Sequence, residues 1–151
     1  TVTANGVPVQ SYQPGMFMLD PSQFPNIFRT PGAHPVFALR PDGSLVSPVN
    51  PARRGEVLTV QATGLGQTVP AIGTNLLGIG GQSVQATIIV GLDATGVAGV
   101  TAEYSSGSIG LYNIRFRVPD KSLTGDSRPI SIALVGRDGT VVNGNTLEIA
   151  I

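Results

Sequence analysis

Four short segments of the chain alternate apolar and polar residues with a period of two, and this pattern constrains the fold more than any other feature. They lie within residues 57–62, 113–118, 130–134 and 147–151. Because successive side chains of a β-strand point to opposite faces, each segment is predicted to bury one face. Half-buried strands are typical of antiparallel sheets, since parallel sheets are usually covered on both faces. The residues predicted to face the core are Leu58, Val60, Ala62, Ile114, Phe116, Val118, Ile130, Ile132, Leu134, Leu147, Ile149 and Ile151.

Turn residues separate these segments. The chain has 20 Gly and 12 Pro, and only 12% of its residues are charged, which disfavours long helices rich in Glu and Lys. Asp42-Gly43 and Asp138-Gly139 each lie between apolar arms, a strong signal for a β-hairpin. Residues 85–90 add a β-branched run. About seven short strands with such spacing predict an all-β fold, a two-sheet antiparallel β-sandwich.

The N-terminal part has a different pattern. We predict an extended segment, 1–35, packed on a sandwich domain, 36–151, with one strand within residues 1–12. Four of the five Phe residues lie in or beside this segment, and a disordered tail seldom carries so many aromatic residues. We therefore expect their rings to insert into the domain. These residues are Phe17, Phe24, Phe28 and Phe37.

The Gly-Leu-Gly sequence at residues 64–66 follows a predicted strand and could be a phosphate-binding loop or a turn. A phosphate-binding loop of this kind needs a helix directly after its glycines. Here residues 67–70 follow, and Pro70 disfavours such a helix, so a turn is the favoured interpretation. Only residues 71–77 could form a helical turn, and residues 119–125 are expected to form a loop between the sheets.

Several short motifs occur in a recognisable order along the chain. They are Gln13-Pro-Gly-Met-Phe17, Arg40-Pro-Asp-Gly-Ser44, Asn50-Pro-Ala-Arg-Arg-Gly-Glu56, Ala62-Thr-Gly-Leu-Gly-Gln-Thr68 and Gly110-Leu-Tyr-Asn-Ile114 with Val118-Pro119. In this order they resemble the motifs of one family, the Solibacter-type C-terminal domain of large exported acidobacterial proteins. The resemblance covers roughly residues 13–151 and implies an immunoglobulin-like sandwich, an exported setting and a role as an appended module without known catalytic residues. One departure is Asp93–Ser108, which is longer than the short loop expected there.

The residue inventory disfavours most catalytic chemistry. The chain has no Cys and a single His, so it lacks a thiol nucleophile and cysteine metal ligands, and His34 is interpreted as a loop residue. The acidic residues have structural explanations at turns and strand faces, although a calcium site built on Asp120 and Asp126 stays an alternative. We therefore predict no enzymatic activity, no cofactor and no metal site.

Charge and hydropathy narrow the possible partners. The formal net charge is zero and no basic tract occurs, which argues against a nucleic-acid partner. No run of 18 apolar residues occurs, so no transmembrane segment is predicted. The remaining candidates are other domains of the same exported protein, cell-surface glycans, and a second copy of the chain through strand exchange.

Three residues are the candidate ligand contacts. Tyr104 lies in the 93–108 insertion, predicted to be a loop that exposes the ring. Arg115 and Arg117 share one strand face that could bind an anionic glycan, although a solvated outer face is the favoured interpretation. The predicted function is a non-catalytic structural or interaction module of a secreted or cell-surface bacterial protein. The alternative is a carbohydrate- or ligand-binding accessory module that uses the 93–108 loop.

Overall fold

Two antiparallel β-sheets packed face to face make up most of the structure, a computed structural model that describes residues 2–4, 7–9, 14–24, 27, 33–73 and 75–151. The predicted all-β sandwich is therefore confirmed. Besides one 3₁₀ turn at Pro21–Gln23, the elements described are strands. In chain order they are β1 Val2–Ala4, β2 Val7–Val9, β3 Gly15–Met16, β4 Ala38–Leu39, β5 Val57–Thr63, β6 Thr68–Val69, β7 Ser83–Val84, β8 Thr87–Leu92, β9 Thr95–Gly96, β10 Thr101–Tyr104, β11 Tyr112–Arg117, β12 Arg128–Val135 and β13 Val141–Ile149.

The strands divide into a large and a small sheet. The large sheet has the order β3-β5-β11-β10-β7-β6, with β4 also pairing with β5, and the small sheet has the order β13-β12-β8-β9. The core lies between them and contains the predicted inward residues. Leu58, Val60, Ile114 and Ile130 are all 0% exposed, so the alternation in the sequence does mark the buried face.

The two Asp-Gly turns form as predicted. Gly43 and Gly139 each have φ +82°, a conformation that glycine adopts without steric cost. In each turn the aspartate accepts a hydrogen bond from the backbone N–H two residues later, at 2.9 Å for Asp42 and 3.0 Å for Asp138. The Ser44 hydroxyl, followed by the Ser44 backbone N–H, lowers the pKa of the Asp42 carboxyl group. The Thr140 backbone N–H, followed by the Thr140 hydroxyl, lowers the pKa of the Asp138 carboxyl group.

Three expectations about local structure were wrong. The arm after Asp138 and the strand predicted at 147–151 are one strand, β13, because a register shift opposite residues 131–133 of β12 lets pairing continue. The described residues of 71–77 form no helical turn; Asn75 there has φ +59°. The 93–108 insertion is not a loop, since it contains β9 and β10, which pair in different sheets.

The N-terminal segment connects the two sheets. β3 pairs with β5, and farther along the backbone N–H of Val36 donates to the carbonyl of Glu148 at 2.8 Å, beside a parallel bridge to β13. The side-chain amide of Asn145 bonds both backbone groups of Met16, accepting at 2.7 Å and donating at 2.9 Å. The segment therefore covers part of the outer edge of β13.

Other expectations for this segment need correction. β1 and β2 pair with each other, so residues 1–12 contain two strands rather than one. Phe17 is 43% and Phe24 36% exposed, so their rings do not insert fully into the domain, and Phe28 lies outside the described residues. The reason is local for Phe17, because its neighbour Met16 takes the buried position and consecutive strand residues face opposite sides.

In the part of the chain described here, no helix is long and apolar enough to span a membrane.

Candidate functional site

The Gly-Leu-Gly sequence at residues 64–66 forms a tight turn at one end of the large sheet. Gly64 and Gly66 have φ +73° and +84°, and Leu65 between them is fully buried. Strand β6 follows instead of a helix, so no helix N-terminus is present to hold a phosphate. The predicted turn is confirmed, and its role is to return the chain into the same sheet.

Tyr104 lies beneath this end of the sheet rather than on its surface. The sequence predicted an exposed ring, but Tyr104 is only 6% exposed and forms an edge-to-face pair with Tyr112, with ring centroids 5.0 Å apart. The two residues are direct partners in the β10–β11 ladder, which turns both rings inward. Tyr104 therefore offers no free ring face to a sugar.

The two tyrosine hydroxyl groups hold neighbouring turns. The Tyr112 hydroxyl donates to the carbonyl of Gly66 at 2.5 Å, and the Tyr104 hydroxyl accepts from the backbone N–H of Gly110. Burial, and secondarily the neighbouring Tyr104, raises the pKa of Tyr112. The pair thus links the turn after β5 to the turn before β11.

Tyr112→Phe tests this link. Removing the hydroxyl leaves the ring packing but eliminates the bond to Gly66, so we expect the free energy of unfolding to fall by about 1 kcal/mol, the usual contribution of one hydrogen bond. Urea denaturation monitored by circular dichroism would measure the loss. An unchanged denaturation midpoint would show that the bond does not stabilise the turn.

A second loop closes over the tyrosine pair. The backbone N–H of Gly78 donates to the carbonyl of Ser108 at 3.0 Å, and the N–H of Gly107 donates back to the carbonyl of Gly78 at 2.8 Å. The N–H of Ile79 donates to the side chain of Gln82 at 3.0 Å. The first two bonds join the 70–82 and 105–110 loops at the end of the sheet, and the third bond lies within the 70–82 loop.

Large aliphatic side chains project from the joined loops. Four of them lie within two residues of the bond between Gly78 and Ser108, and each is more than half exposed. Neither residues 57–92 nor residues 104–114 include a charged side chain. We call this group the apolar tip; it consists of Leu76, Leu77, Ile79 and Ile109, with exposures of 57%, 56%, 83% and 54%.

The apolar tip was not predicted from the sequence. The signal that could have found it is the uncharged run of residues 57–92 in a chain whose 18 charged residues lie elsewhere. Exposure could not be read from that run, because the same composition suits a buried strand. Only the pairing of the loops brings Ile109 next to residues 76–79.

Arg115 and Arg117 lie on the outer face of β11, as predicted. Arg115 forms an ion pair with Glu103 at 2.7 Å, and the two side chains are 50% and 34% exposed. Arg117 is exposed at the end of β11 opposite the apolar tip. The structure therefore separates both arginines from Tyr104, and the three predicted contacts do not form one site.

A cavity of about 290 Å³ lies beside the end of β13. Its lining includes Asp126 and Glu148, and one carboxylate oxygen of Glu148 accepts the backbone N–H of His34 at 3.0 Å. His34 itself is an exposed loop residue, as interpreted from the sequence. Within the described residues, no three His, Asp or Glu side chains are grouped so that they could hold a metal ion.

No protein-family model, curated protein or solved structure matches this chain. The family resemblance drawn from the motifs therefore stays a prediction. Two surfaces of the described chain are candidates for contact with a partner: the apolar tip, and the exposed cations Arg53, Arg54, Arg117 and Lys121. A functional assignment depends on these two surfaces.

Proposed function

We propose that this chain is a non-catalytic, immunoglobulin-like structural or interaction module of a secreted or cell-surface bacterial protein, with the apolar tip as its contact surface. The strand order supports the immunoglobulin-like part. β5, β11 and β10 are adjacent in one sheet, and β8, β12 and β13 are adjacent in the other. If the six strands are lettered B to G along the chain, β5, β11 and β10 correspond to strands B, E and D of an immunoglobulin constant domain. By the same lettering, β8, β12 and β13 correspond to strands C, F and G.

The contacts of two family-like motifs agree with a structural role. Arg40, in the motif of residues 40–44, forms an ion pair with Glu56, in the motif of residues 50–56, with Nε and Oε1 2.7 Å apart. The same guanidinium donates to the carbonyls of Asn50 and Pro51. The motifs thus hold the hairpin before β5 against the start of that strand, which supports a structural role for them.

The apolar tip carries the interaction part of the proposal. Exposed aliphatic groups that are grouped together, rather than scattered singly, are typical of contact surfaces. We assign a second copy of the chain as the occupant, because a surface without charge can pack against itself without desolvating an ion or opposing like charges. The zero formal net charge adds little long-range repulsion between copies.

The size of the patch sets the expected affinity. Apolar patches of this kind cover on the order of 400 Å², whereas each partner in a stable complex buries roughly 800 Å². Association should therefore be weak, with a dissociation constant on the order of 100 μM. Weak contacts of this strength suit modules that are displayed in many copies on one surface.

Sedimentation equilibrium tests the proposal. The protein concentration should run from about 10 to 500 μM, a range that brackets the expected dissociation constant. We expect a reversible dimer for the native chain and monomer throughout for the double variant Leu77→Gln, Ile79→Gln. Leu123→Gln is the matched control, because Leu123 is as exposed as Leu76 but lies in the loop after β11, away from the tip. A native chain that stays monomeric, or a dimer that survives the double variant, would contradict this contact.

The structure gives less support to the alternative of a glycan-binding module at residues 93–108. Most of that segment is used in β9, β10 and their connections, and the ring of Tyr104 is buried. Tyr104 is the aromatic residue of this segment, and because its ring is buried, no exposed aromatic ring is present there on which a sugar could stack. The interaction module is therefore the favoured function.

A further inference from the structure

Four cations gather at the end of the large sheet that lies opposite the apolar tip. Arg117 ends β11 and pairs with Val57, the first residue of β5. The turn that precedes β5 is held there by a bond from the backbone N–H of Gly55 to the carbonyl of Val118 at 2.8 Å. We call the group the basic end; it consists of Arg53, Arg54, Arg117 and Lys121.

A side-chain hydrogen bond of Arg54 joins the two segments that carry the basic end. Arg54 Nε donates to the carbonyl of Ser122 at 2.8 Å, which ties the turn before β5 to the loop after β11. Gly55 has φ +79°, and a Cβ placed on it would lie 3.4 Å from Arg117 Nη2 and 3.3 Å from Asp120 Oδ1. The Arg117 guanidinium and the Asp120 carboxylate therefore both lie close to Gly55, in the turn that precedes β5.

The local charge is strongly positive although the whole chain is neutral. All four cations are exposed, and Asp120 is the exposed carboxylate within the same two segments, which leaves an excess of three positive charges. Glu56 is paired with Arg40 and Glu103 with Arg115, so neither compensates the group. Exposed positive charge concentrated in this way raises the local concentration of anionic partners.

We propose that the basic end binds an anionic polysaccharide that carries carboxylate groups. Three of its four cations are arginines, whose planar guanidinium matches a carboxylate with two parallel hydrogen bonds. Val57 and Leu123, which are 44% and 57% exposed, lie in the same segments and offer apolar contact to the C–H faces of sugar rings. Residues 53–57 and 117–123 contain no aromatic side chain, so neither a base nor a sugar ring can stack there, and recognition must rest on the charges of the ligand. A polysaccharide with a carboxylate on each sugar supplies such charges, whereas binding sites for single-stranded nucleic acids usually combine charge with base stacking.

Polygalacturonate is the probe, and its methyl ester is the matched neutral polymer. We expect the native chain to be retained on immobilised polygalacturonate at low salt, to be released as the salt concentration rises, and not to be retained on the ester. The double variant Arg53→Gln, Arg117→Gln should bind about tenfold more weakly, since each exposed charge contributes a modest part of the affinity. Arg137→Gln, which removes an exposed charge at the β12–β13 turn instead, should bind within about twofold of the native chain.

Three results would overturn the proposal: equal binding to the methyl ester, equal binding by the double variant and the native chain, or tighter binding to duplex DNA than to polygalacturonate. Arg53→Gln alone keeps the test valid if the double variant is less stable, because Arg53 lies exposed in a turn. The apolar tip lies at the other end of the sheet, so loss of dimerisation and loss of polymer binding are separable outcomes.

Discussion

Replacing Gly78 by alanine should lower the free energy of unfolding by about 3 kcal/mol, at the upper end of the usual cost of overpacking. A Cβ at this position would lie 2.2 Å from the carbonyl oxygen of Ser105 and 2.7 Å from Cδ1 of Tyr104. The nearest atom belongs to the backbone, so no rotamer change can relieve the overlap. The added methyl group must separate the 70–82 loop from the tyrosine pair, which breaks the bonds that Gly78 makes to Gly107 and Ser108.

Gly96→Ala is the matched control for this prediction. A Cβ on Gly96 in the edge strand β9 meets nothing within 4 Å, and its φ is not in the left-handed region. We expect its stability to stay within about 0.5 kcal/mol of the native chain, as for most surface substitutions. Urea denaturation curves for both variants decide the matter, and equal stability of the two would contradict the close approach at Gly78.

Glu56→Gln should also be strongly destabilising, by about 3 kcal/mol, because it removes one partner of a largely buried ion pair. The side chains of Arg40 and Glu56 are only 10% and 20% exposed. After the substitution the guanidinium keeps its bonds to the carbonyls of Asn50 and Pro51 but loses its counter-charge. Among the described residues, Nη1 of Arg40 is already buried without a hydrogen-bond partner. The positive charge of Arg40 would therefore be balanced only by the two carbonyl groups that Nη2 contacts.

Glu103→Gln provides the comparison, since it removes the partner of Arg115 in an ion pair of the same 2.7 Å length. Those side chains are 50% and 34% exposed, and water screens the charge that remains. The expected loss is below about 0.5 kcal/mol, as is typical of surface pairs. Thermal and urea denaturation of both variants at neutral pH would measure the difference. Similar losses for the two variants would show that burial does not distinguish the pairs.

The faces of the strands could be predicted from the sequence, but their partners could not. Alternation placed Leu58, Phe116 and Ile130 in the core, because side-chain direction along a strand is a local property of the backbone. Asp42-Gly43 and Asp138-Gly139 predicted their turns for the same reason, since glycine supplies the required conformation within four residues. The extent of β13 was missed, because it depends on a register shift against β12.

The candidate surfaces depended more strongly on tertiary structure. Tyr104 was predicted to be exposed because it lies in a long insertion, yet β10 crosses to the large sheet and turns the ring toward Tyr112. Arg115 and Arg117 were placed correctly on an outer face, since they belong to a clearly alternating segment. Their different surroundings, an ion pair for Arg115 and the basic end for Arg117, could not be seen in that pattern.

By itself, the sequence determined the all-β class, the inward residues and the two Asp-Gly turns, because each depends on interactions within a few neighbouring residues. Only the tertiary structure decided which sheet β10 joins, that residues 76–79 meet Ile109 at one end, and that Arg53, Arg54, Arg117 and Lys121 gather at the other. These arrangements join residues up to about 70 positions apart, and long-range pairing of this kind is selected by the packing of the whole sandwich rather than by local preference.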